Sequence, residues 1–293
     1  MTTWLVISDV QANVLSLDTS NDILLSEIEA VEIKSAETES IHSTWNTLLS
    51  RHVVTVNGGS NTQVNYVGMN AERLRLQGYL KTLTEIKQSE FDSWNNAKQL
   101  AFLINAYNAW TIEYILINQP SDELKELESI KDLGRFYSSP WNKSFIPLLG
   151  KTRSLDDIEH GLIRSTLNAD GKLRYKEPRI HFAVNCASIG CPALREEAYV
   201  GDKLEEQLEQ QTIRFLSDKT RNVANNNTIE LSSIFKWYRE DFGQDYKGAN
   251  SLQTFLALYS EALNLTPTQI NSLKNEDMKV KFLKYNWNLN GQP

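Results

Sequence analysis

The 293-residue chain contains only two cysteines, four histidines and seven prolines. Two cysteines are too few for the disulfide framework of a small secreted scaffold, and a chain of this length can bury a core without one. Acidic residues number 37 against 30 basic residues, a formal net charge of -7, so the basic face that a nucleic-acid backbone requires is not expected. No apolar run approaches the roughly 20 residues that span a bilayer. We therefore expect neither a nucleic-acid partner nor a membrane span.

The first 40 residues differ in character from the rest of the chain. They are acidic and weakly patterned, and Asp9 interrupts an apolar start that has no basic region before it. A secretory signal peptide is therefore not expected. We predict a weakly ordered N-terminal segment at residues 1–40, followed by one domain at residues 41–293. The seven Trp, eleven Tyr and ten Phe residues favour an ordered domain.

A helix that is apolar on every face is predicted over residues 98–119, and such a helix belongs at the centre of a fold. Asn105 and Asn108 interrupt this apolar surface and lie three residues apart, on one face. Because a buried amide without hydrogen-bond partners costs a few kcal/mol, these two side chains are expected to brace a neighbouring loop or to line a site.

Shorter patterns predict the remaining elements. Residues 144–153 indicate a hairpin, and Ser154 followed by two aspartates indicates a helix start. Alternation of apolar residues predicts a strand over residues 178–185, and Pro192 is expected to open a short helix after it. Helices outnumber strands without regular alternation. The predicted class is α+β, a single mostly helical domain around a small antiparallel sheet.

The segment Ile180–Pro192 holds both cysteines and one histidine, which makes it the leading candidate site. Cys191 precedes the helix expected at Pro192, where the helix dipole favours a thiolate. Cys186 lies where the expected strand enters a loop, a common position for reactive groups. Either cysteine is a candidate nucleophile.

A thiol nucleophile needs a base. His160 lies on a separate helix with acidic neighbours and is the first candidate, and His181 is the alternate. His181 is an odd number of residues from Cys186, so a straight strand would place the two on opposite faces. Glu159 or Asn105 is expected to orient the base.

Two other uses of the same residues stay open. Cys186, Cys191, His160 and His181 together offer metal ligands, although a Cys-x4-Cys spacing is wider than that of a usual zinc knuckle. Alternatively, the two cysteines form a disulfide, which would matter in an oxidising compartment. The remaining histidines, His42 and His52, are expected on a surface-type helix.

Four motifs occur in a fixed order along the chain. They are FLINAYNAWTI at residues 102–112, SLDDIEHGLIR at 154–164, PRIHFAVNCASIGCPAL at 178–194 and LSSIFKWYREDF at 231–242. This set resembles the domain of unknown function 547 family, and KFLKYNWNLN near the C-terminus resembles its bacterial members. The likeness covers roughly residues 41–290. Many bacterial members are exported, so the resemblance implies the cell envelope. A distant relationship to papain- or transglutaminase-like hydrolases is an analogy only.

The leading hypothesis is a thiol-dependent hydrolase or acyl transferase that acts on an amide or thioester of a small-molecule or peptide substrate. The alternatives are a non-catalytic binding module with a buried Asn, His and Cys network, and a metal-binding protein. No cofactor is expected, and no metal site is assigned. The residues expected to contact substrate are Asn108, Tyr107, Asn185 and Ser188.

Overall fold

The computed structural model describes residues 41–118, 127–133 and 139–292. The N-terminal segment 1–40, for which weak order is predicted, lies outside these residues. From Ile41 to the C-terminus, the chain forms one compact unit. The fold is described for this unit alone.

Helices dominate the first part of the unit, and the longest of them lies at its centre. They are α1 (41–52), α2 (Tyr66–Ala71), α3 (Arg73–Glu85), α4 (Gln88–Asp92) and α5 (Asn96–Asn118). Every residue of α5 from Gln99 to Leu116 is buried, which confirms the predicted central helix. Among the described residues, α5 is the helix long and apolar enough to cross a membrane, and 94% of that window is buried inside the protein. A core helix shows the same properties.

Later helices are shorter, and several are not α-helical. The α-helices are α6 (Leu204–Ser217), α7 (Ile234–Trp237), α8 (Leu252–Leu258) and α9 (Pro267–Lys274). A π-helix covers Asp157–Arg164. Single 3-10 turns occur at Asn57–Gly59, Ile130–Leu133, Pro140–Asn142, Pro178–Phe182, Gly201–Lys203 and Asp241–Gly243.

The strands form small separate sheets, so the α+β class is confirmed while the single antiparallel sheet is not. The strands are β1 (Val53–Val56), β2 (Asn61–Val64), β3 (Ile146–Leu148), β4 (Lys151–Arg153), β5 (Val223–Asn225), β6 (Thr228–Leu231) and β7 (Lys279–Phe282). β1 pairs with β2, β3 with β4, and β5 with β6, all antiparallel, whereas β7 joins β6 in parallel. The hairpin predicted at residues 144–153 is β3–β4.

The strand predicted over residues 178–185 is wrong, because the segment starts with a 3-10 helix at Pro178–Phe182. Pro178 occupies the first turn, and the Glu177 carboxylate caps it by accepting from the Arg179 amide at 3.1 Å. All eight residues are buried. The apolar alternation therefore does not separate a core face from a solvent face, which is what it indicates in a half-buried strand.

The short helix predicted after Pro192 is also wrong, because residues 192–200 contain no helix. The backbone groups of this segment form hydrogen bonds with side chains from other elements, where a helix would have paired them with its own backbone. Gln211 Nε2 donates to Ala193 O at 2.8 Å, and Thr62 Oγ1 donates to Leu194 O at 3.0 Å. Cys191 consequently does not lie at a helix N-terminus, and no helix dipole acts on its sulfur.

Two hydrophobic clusters form the core, and the segment at 178–185 connects them. The first cluster surrounds α5 and contains Ile180. The second contains Phe182, Phe215 and Phe235. Since Ile180 and Phe182 pack into different clusters, His181 between them is held at the boundary of the two.

Candidate functional site

A cavity of about 590 Å³ opens at this boundary. Its wall combines ionisable groups, aromatic rings and both cysteines. The lining residues are Tyr107, Ser139, Trp141, Asp156, Glu159, His160, Arg164, His181, Val184, Cys186, Cys191, Pro192, Ile234, Trp237, Tyr238, Tyr285 and Trp287. The two cysteines and the two histidines singled out from the sequence therefore lie on one cavity, although their motifs are separate in sequence.

Cys186 and Cys191 are joined in a disulfide, which is the third of the uses considered from the sequence. Cys191 Sγ accepts from the Cys186 amide at 2.9 Å and from the Tyr285 hydroxyl at 3.2 Å. The Ser188 hydroxyl is 3.5 Å from the same sulfur. The Ser188 and Tyr285 hydroxyls are 2.9 Å apart, so one of their two hydrogens bridges them and the other is free for the sulfur. Cys191 Sγ thus accepts from the Cys186 amide and from this hydroxyl pair, an arrangement that favours a thiolate when the bond is reduced.

The loop that carries the disulfide is held by contacts from the C-terminal segment and from Arg221. The amides of Ile189 and Gly190 donate to Asn288 O at 2.7 Å and to Asn286 O at 2.8 Å. Arg221 donates to the carbonyls of Ile189 and Cys191. A Cβ at Gly190 would lie 2.7 Å from the Tyr285 ring, so only glycine allows this close approach.

His181 forms a buried acid–imidazole pair with Asp241. Its Nε2 is 2.7 Å from Asp241 Oδ2, and Arg164 binds the same carboxylate through Nε at 2.7 Å and Nη2 at 3.2 Å. Burial alone raises the pKa of Asp241, but the hydrogen bonds and charges of His181 and Arg164 outweigh it and lower the pKa well below its ordinary value. An ionised carboxylate only accepts, so Nε2 carries the hydrogen.

The other ring nitrogen of His181 is available as a base. Burial lowers the pKa of His181 below its ordinary value, although the hydrogen bond to Asp241 opposes this shift. The neutral ring with a hydrogen on Nε2 leaves a lone pair on Nδ1. Nδ1 is buried and has no hydrogen-bond partner among the described residues. Tyr238 stacks on the ring at a centroid distance of 4.0 Å and fixes its plane.

His160 is less suited to accept a proton. Its Nδ1 is 2.7 Å from Arg164 Nη1, and because a guanidinium can only donate, the lone pair of Nδ1 is already engaged. Its Nε2 lies 3.8 Å from Asp156 Oδ1. The candidate first named as base is thus tied to Arg164, whereas the alternate, His181, keeps an unused acceptor.

Glu159 points into the cavity from the π-helix and lies beside two phenols. The Tyr238 hydroxyl donates to Glu159 Oε1 at 2.8 Å. Burial and the nearby Glu159 carboxylate raise the pKa of Tyr238 and also that of Tyr107. Both phenols therefore stay protonated at neutral pH and act as donors.

The asparagines of the candidate list brace the backbone and do not line the cavity. Asn105 exchanges two hydrogen bonds with the backbone of Tyr199, at 2.7 and 3.0 Å. Asn108 donates to Ala183 O at 3.0 Å and accepts from the Asn185 amide at 2.8 Å. Both side chains thus bind backbone groups, and neither is part of the cavity lining, so Asn105 is not placed to orient a histidine there.

Two further candidates also act within the loop. The Asn185 side chain accepts from the Ala187 amide at 2.8 Å and donates to Pro192 O at 2.7 Å. The Ser188 hydroxyl is 2.9 Å from the Tyr285 hydroxyl, behind the disulfide. Neither side chain is part of the cavity lining, whereas Tyr107 is.

Several residues of the site were not singled out from the sequence, namely the lining residues Tyr238, Arg164 and Tyr285 and the carboxylate Asp241 that binds His181 and Arg164. Three of them lie inside motifs that were quoted for the resemblance, namely Arg164 at the end of the second and both Tyr238 and Asp241 in the fourth. Tyr285 lies in the C-terminal stretch. The motifs therefore contained these residues, but their spacing did not indicate which side chains would lie at the site.

Four aromatic side chains, Trp141, Trp237, Tyr285 and Trp287, form a shelf at the cavity. The Tyr285 and Trp287 ring centroids are 4.4 Å apart, and Trp237 and Trp287 stack at 5.6 Å. Trp141 meets Trp287 edge-on at 5.9 Å. Trp237 is 47% exposed, so part of its ring is open to a ligand that enters the cavity.

A metal centre finds no support in this geometry. Within the residues that the structure describes, no group of three or more His, Cys, Asp or Glu side chains is arranged to hold a metal ion. Both cysteine sulfurs are joined in the disulfide. His181 Nε2 is directed to a carboxylate and His160 Nδ1 to a guanidinium.

The fold and the site together define a mostly helical α+β protein with one cavity that carries a disulfide, an acid–imidazole pair and an aromatic shelf. Residues 91–216 match the sequence model of the family described as "Protein of unknown function, DUF547". This match confirms the resemblance over residues 91–216. Comparison with curated proteins and comparison with solved structures each gave no match. The likeness to papain- or transglutaminase-like hydrolases therefore stays a prediction.

Proposed function

We propose that the protein is a thiol-dependent hydrolase or acyl transferase that acts on an amide or thioester, with Cys191 as its nucleophile. The observation that carries the proposal is the hydrogen bonding of Cys191 Sγ, which accepts from the Cys186 amide and from the paired hydroxyls of Tyr285 and Ser188. The disulfide is the resting form, because an oxidised sulfur does not attack a carbonyl. An external dithiol that is itself oxidised to a disulfide reduces this bond, and the products are the Cys186 and Cys191 thiols.

His181 is the proposed base. Its Nδ1 lone pair takes the proton of the Cys191 thiol, and Asp241 stabilises the imidazolium that forms. The thiolate then attacks the carbonyl carbon of the substrate, and the amine or thiol leaves with the proton from His181. Water completes a hydrolysis, or a second nucleophile completes an acyl transfer. His160 and Arg164 act in this scheme by fixing Asp241.

The test is alkylation of the reduced protein. At neutral pH and without denaturant, iodoacetamide should modify Cys191, as located by mass spectrometry, with an apparent pKa below the roughly 8.5 of an ordinary thiol. Tyr285→Phe should raise that pKa, because one donor to the sulfur is lost. The matched control is Tyr259→Phe, whose hydroxyl binds Glu209 at 3.2 Å and is not part of the cavity lining.

Acylation is tested on the same sample. A p-nitrophenyl ester should leave an acyl group on Cys191 of the reduced protein, and the adduct should disappear in Cys191→Ser and decrease sharply in His181→Gln. The proposal fails if both cysteines react only after unfolding and no acyl adduct forms on the folded protein.

A non-catalytic binding module is the second candidate, and the asparagine network that binds backbone favours it. Asn105, Asn108 and Asn185 all bond to backbone, and the sulfurs are oxidised, so the cavity is rigid as it stands. This candidate predicts that Cys186→Ser and Cys191→Ser leave ligand binding intact and that no acyl adduct forms under any redox condition.

A further inference from the structure

Glu159 differs from the other buried carboxylates of the protein. The acidic residues buried among the described residues are Glu113, Glu159 and Asp218, and Glu159 is only 6% exposed. Glu113 pairs with Arg73 at 2.9 Å, and Asp218 pairs with Arg221 at 3.0 Å.

Within the described ranges, no Lys or Arg forms an ion pair with Glu159. The neutral phenol of Tyr238 donates to Glu159 Oε1 at 2.8 Å, and the neutral phenol of Tyr107 lies near the same carboxylate. The charge of Glu159 contributes to the raised pKa of Arg164, but Arg164 forms its hydrogen bonds with Asp241 and His160. A buried carboxylate normally requires a cation or several strong donors. Glu159 faces a cavity instead, which leaves room for a cation from outside.

Two further acceptors line the same cavity. Asp156 has only a distant partner, His160 at 3.8 Å. Burial, with the charges of Glu159 and Asp157, raises the pKa of Asp156 above its ordinary value even though His160 opposes this. His181 Nδ1, in a side chain only 2% exposed, has no partner among the described residues. The carboxylates of Glu159 and Asp156 are acceptors in residues that line the cavity, so a ligand that fits them is rich in donors.

The aromatic shelf defined above supplies the rest of the recognition. Electron-rich ring faces attract cations, and the shelf already attracts one from the protein, because Lys131 Nζ lies 3.4 Å from the Trp287 ring centroid. Lys131 thus occupies one face of the Trp287 ring. Trp237, 47% exposed, offers its face to a ligand.

We propose that the cavity binds a primary ammonium group on a flexible alkyl chain, as in a lysine side chain or a diamine. The ammonium donates to Glu159 and its neighbouring acceptors, and the chain lies along the aromatic shelf. A quaternary ammonium has charge but no N–H, so it satisfies the rings and leaves the acceptors unpaired. The proposal rests on the proposed function only in treating this amine as part of the substrate.

Binding is measured by titration calorimetry on the oxidised protein with four ligands that share a five-carbon chain. These are cadaverine, pentane-1,5-diol, glutarate and pentamethonium. A hydrogen bond to a charged group contributes about 1.5–3 kcal/mol, so cadaverine should bind roughly 10- to 100-fold more tightly than the diol. Glutarate should not bind detectably, and pentamethonium should bind more weakly than cadaverine. Equal or tighter binding of the diol, of glutarate or of pentamethonium, or no binding of cadaverine, overturns the proposal.

Two variants locate the contacts. Glu159→Gln keeps the shape and removes the charge, and it should weaken cadaverine binding roughly 10-fold or more. Trp237→Leu should weaken it roughly 3-fold, the scale of an exposed cation–π contact. The control is Glu240→Gln, because Glu240 is exposed and does not line the cavity. A folded Glu159→Gln protein with unchanged affinity contradicts the proposal.

The result is separable from the fate of the thiol mechanism. The oxidised protein has no reactive thiol, so cadaverine binding is measured without any acyl chemistry. Binding without an acyl adduct upholds the amine site and removes the proposed enzyme. An acyl adduct on Cys191 without selective binding of cadaverine upholds the proposed enzyme and removes the amine site.

Discussion

Asp241→Asn should destabilise the protein by about 2–3 kcal/mol at neutral pH. Its carboxylate, 19% exposed, accepts from Arg164 at 2.7 and 3.2 Å and from His181 at 2.7 Å. Breaking a fully buried ion pair costs about 3–5 kcal/mol. The Arg164 side chain is 25% exposed, so water recovers part of this loss, and the amide of Asn keeps one acceptor for His181.

The same cost should depend on pH in a defined direction. The folded protein holds the pKa of Asp241 below its ordinary value, so the unfolded chain binds the proton more readily. The stabilisation is therefore fully present above the unfolded pKa of about 3.9 and is lost progressively as the pH falls from there through the lower pKa of the folded protein. The difference between wild type and Asp241→Asn should be constant from pH 7 to about pH 5 and should shrink below pH 4.

Urea unfolding followed by circular dichroism measures both effects. With a slope of about 2–3 kcal/mol per molar urea, the midpoint of Asp241→Asn should fall by about 1 M at pH 7. Asp245→Asn is the control, because Asp245 pairs with Lys176 at 3.3 Å with both side chains largely exposed, and surface substitutions change stability by no more than about 0.5 kcal/mol. Equal midpoints for the two variants, or a difference that persists unchanged at pH 3, would refute this account of the Asp241 contacts.

Three other perturbations test parts of the structure. Reduction of Cys186–Cys191, or replacement of both by Ser, opens a six-residue loop (186–191) and should lower the free energy of unfolding by about 2 kcal/mol from loop entropy; urea unfolding with and without reductant measures it. Asn108→Leu leaves a buried backbone carbonyl and amide unpaired and should cost about 2–5 kcal/mol in the same assay, whereas a loss under 1 kcal/mol contradicts the bracing role. Burial lowers the pKa of His42 to about 3, so stability should fall as the pH drops from about 6.5 towards 3. His42→Gln should weaken this pH dependence of stability. A titration midpoint of His42 near pH 6.5, measured by NMR in the folded protein, would disprove the explanation.

Elements with a local cause were predicted correctly from the sequence. The α5 helix follows from its uninterrupted apolar surface, and the β3–β4 hairpin follows from the turn at Gly150. The helix start at Ser154 has the expected cap, since its hydroxyl accepts from the Asp157 amide at 3.0 Å. Each of these signals lies within a few residues of the structure that it specifies.

Elements fixed by distant side chains were not predictable in this way. Gln211 and Thr62, far from Pro192 in sequence, take the carbonyls that a helix would have used. His42 likewise lies on a helix that looks exposed in sequence, yet its ring is buried and 2.8 Å from the Tyr79 hydroxyl. Long-range partners decide these positions, and a local pattern carries no information about them.

The candidate site shows the same division. The cysteines and histidines could be selected because such residues are rare in this chain and chemically distinctive. Their partners could not, because Asp241 is 60 residues from His181 and Tyr285 is 94 residues from Cys191. The disulfide was one of three uses left open, since the same four residues also offered a nucleophile or metal ligands.

The contacts around the disulfide suggest that reduction changes its chemistry more than its fold. The loop is fixed by backbone bonds to the C-terminal segment and by Arg221, none of which involves the S–S bond. The loss of about 2 kcal/mol is small against the 5–15 kcal/mol by which domains are commonly stable. The donors from Tyr285 and Ser188 then remain in place to hold the Cys191 sulfur. A reduced protein that stays folded but gains a reactive Cys191 is the state in which the proposed enzyme must be sought.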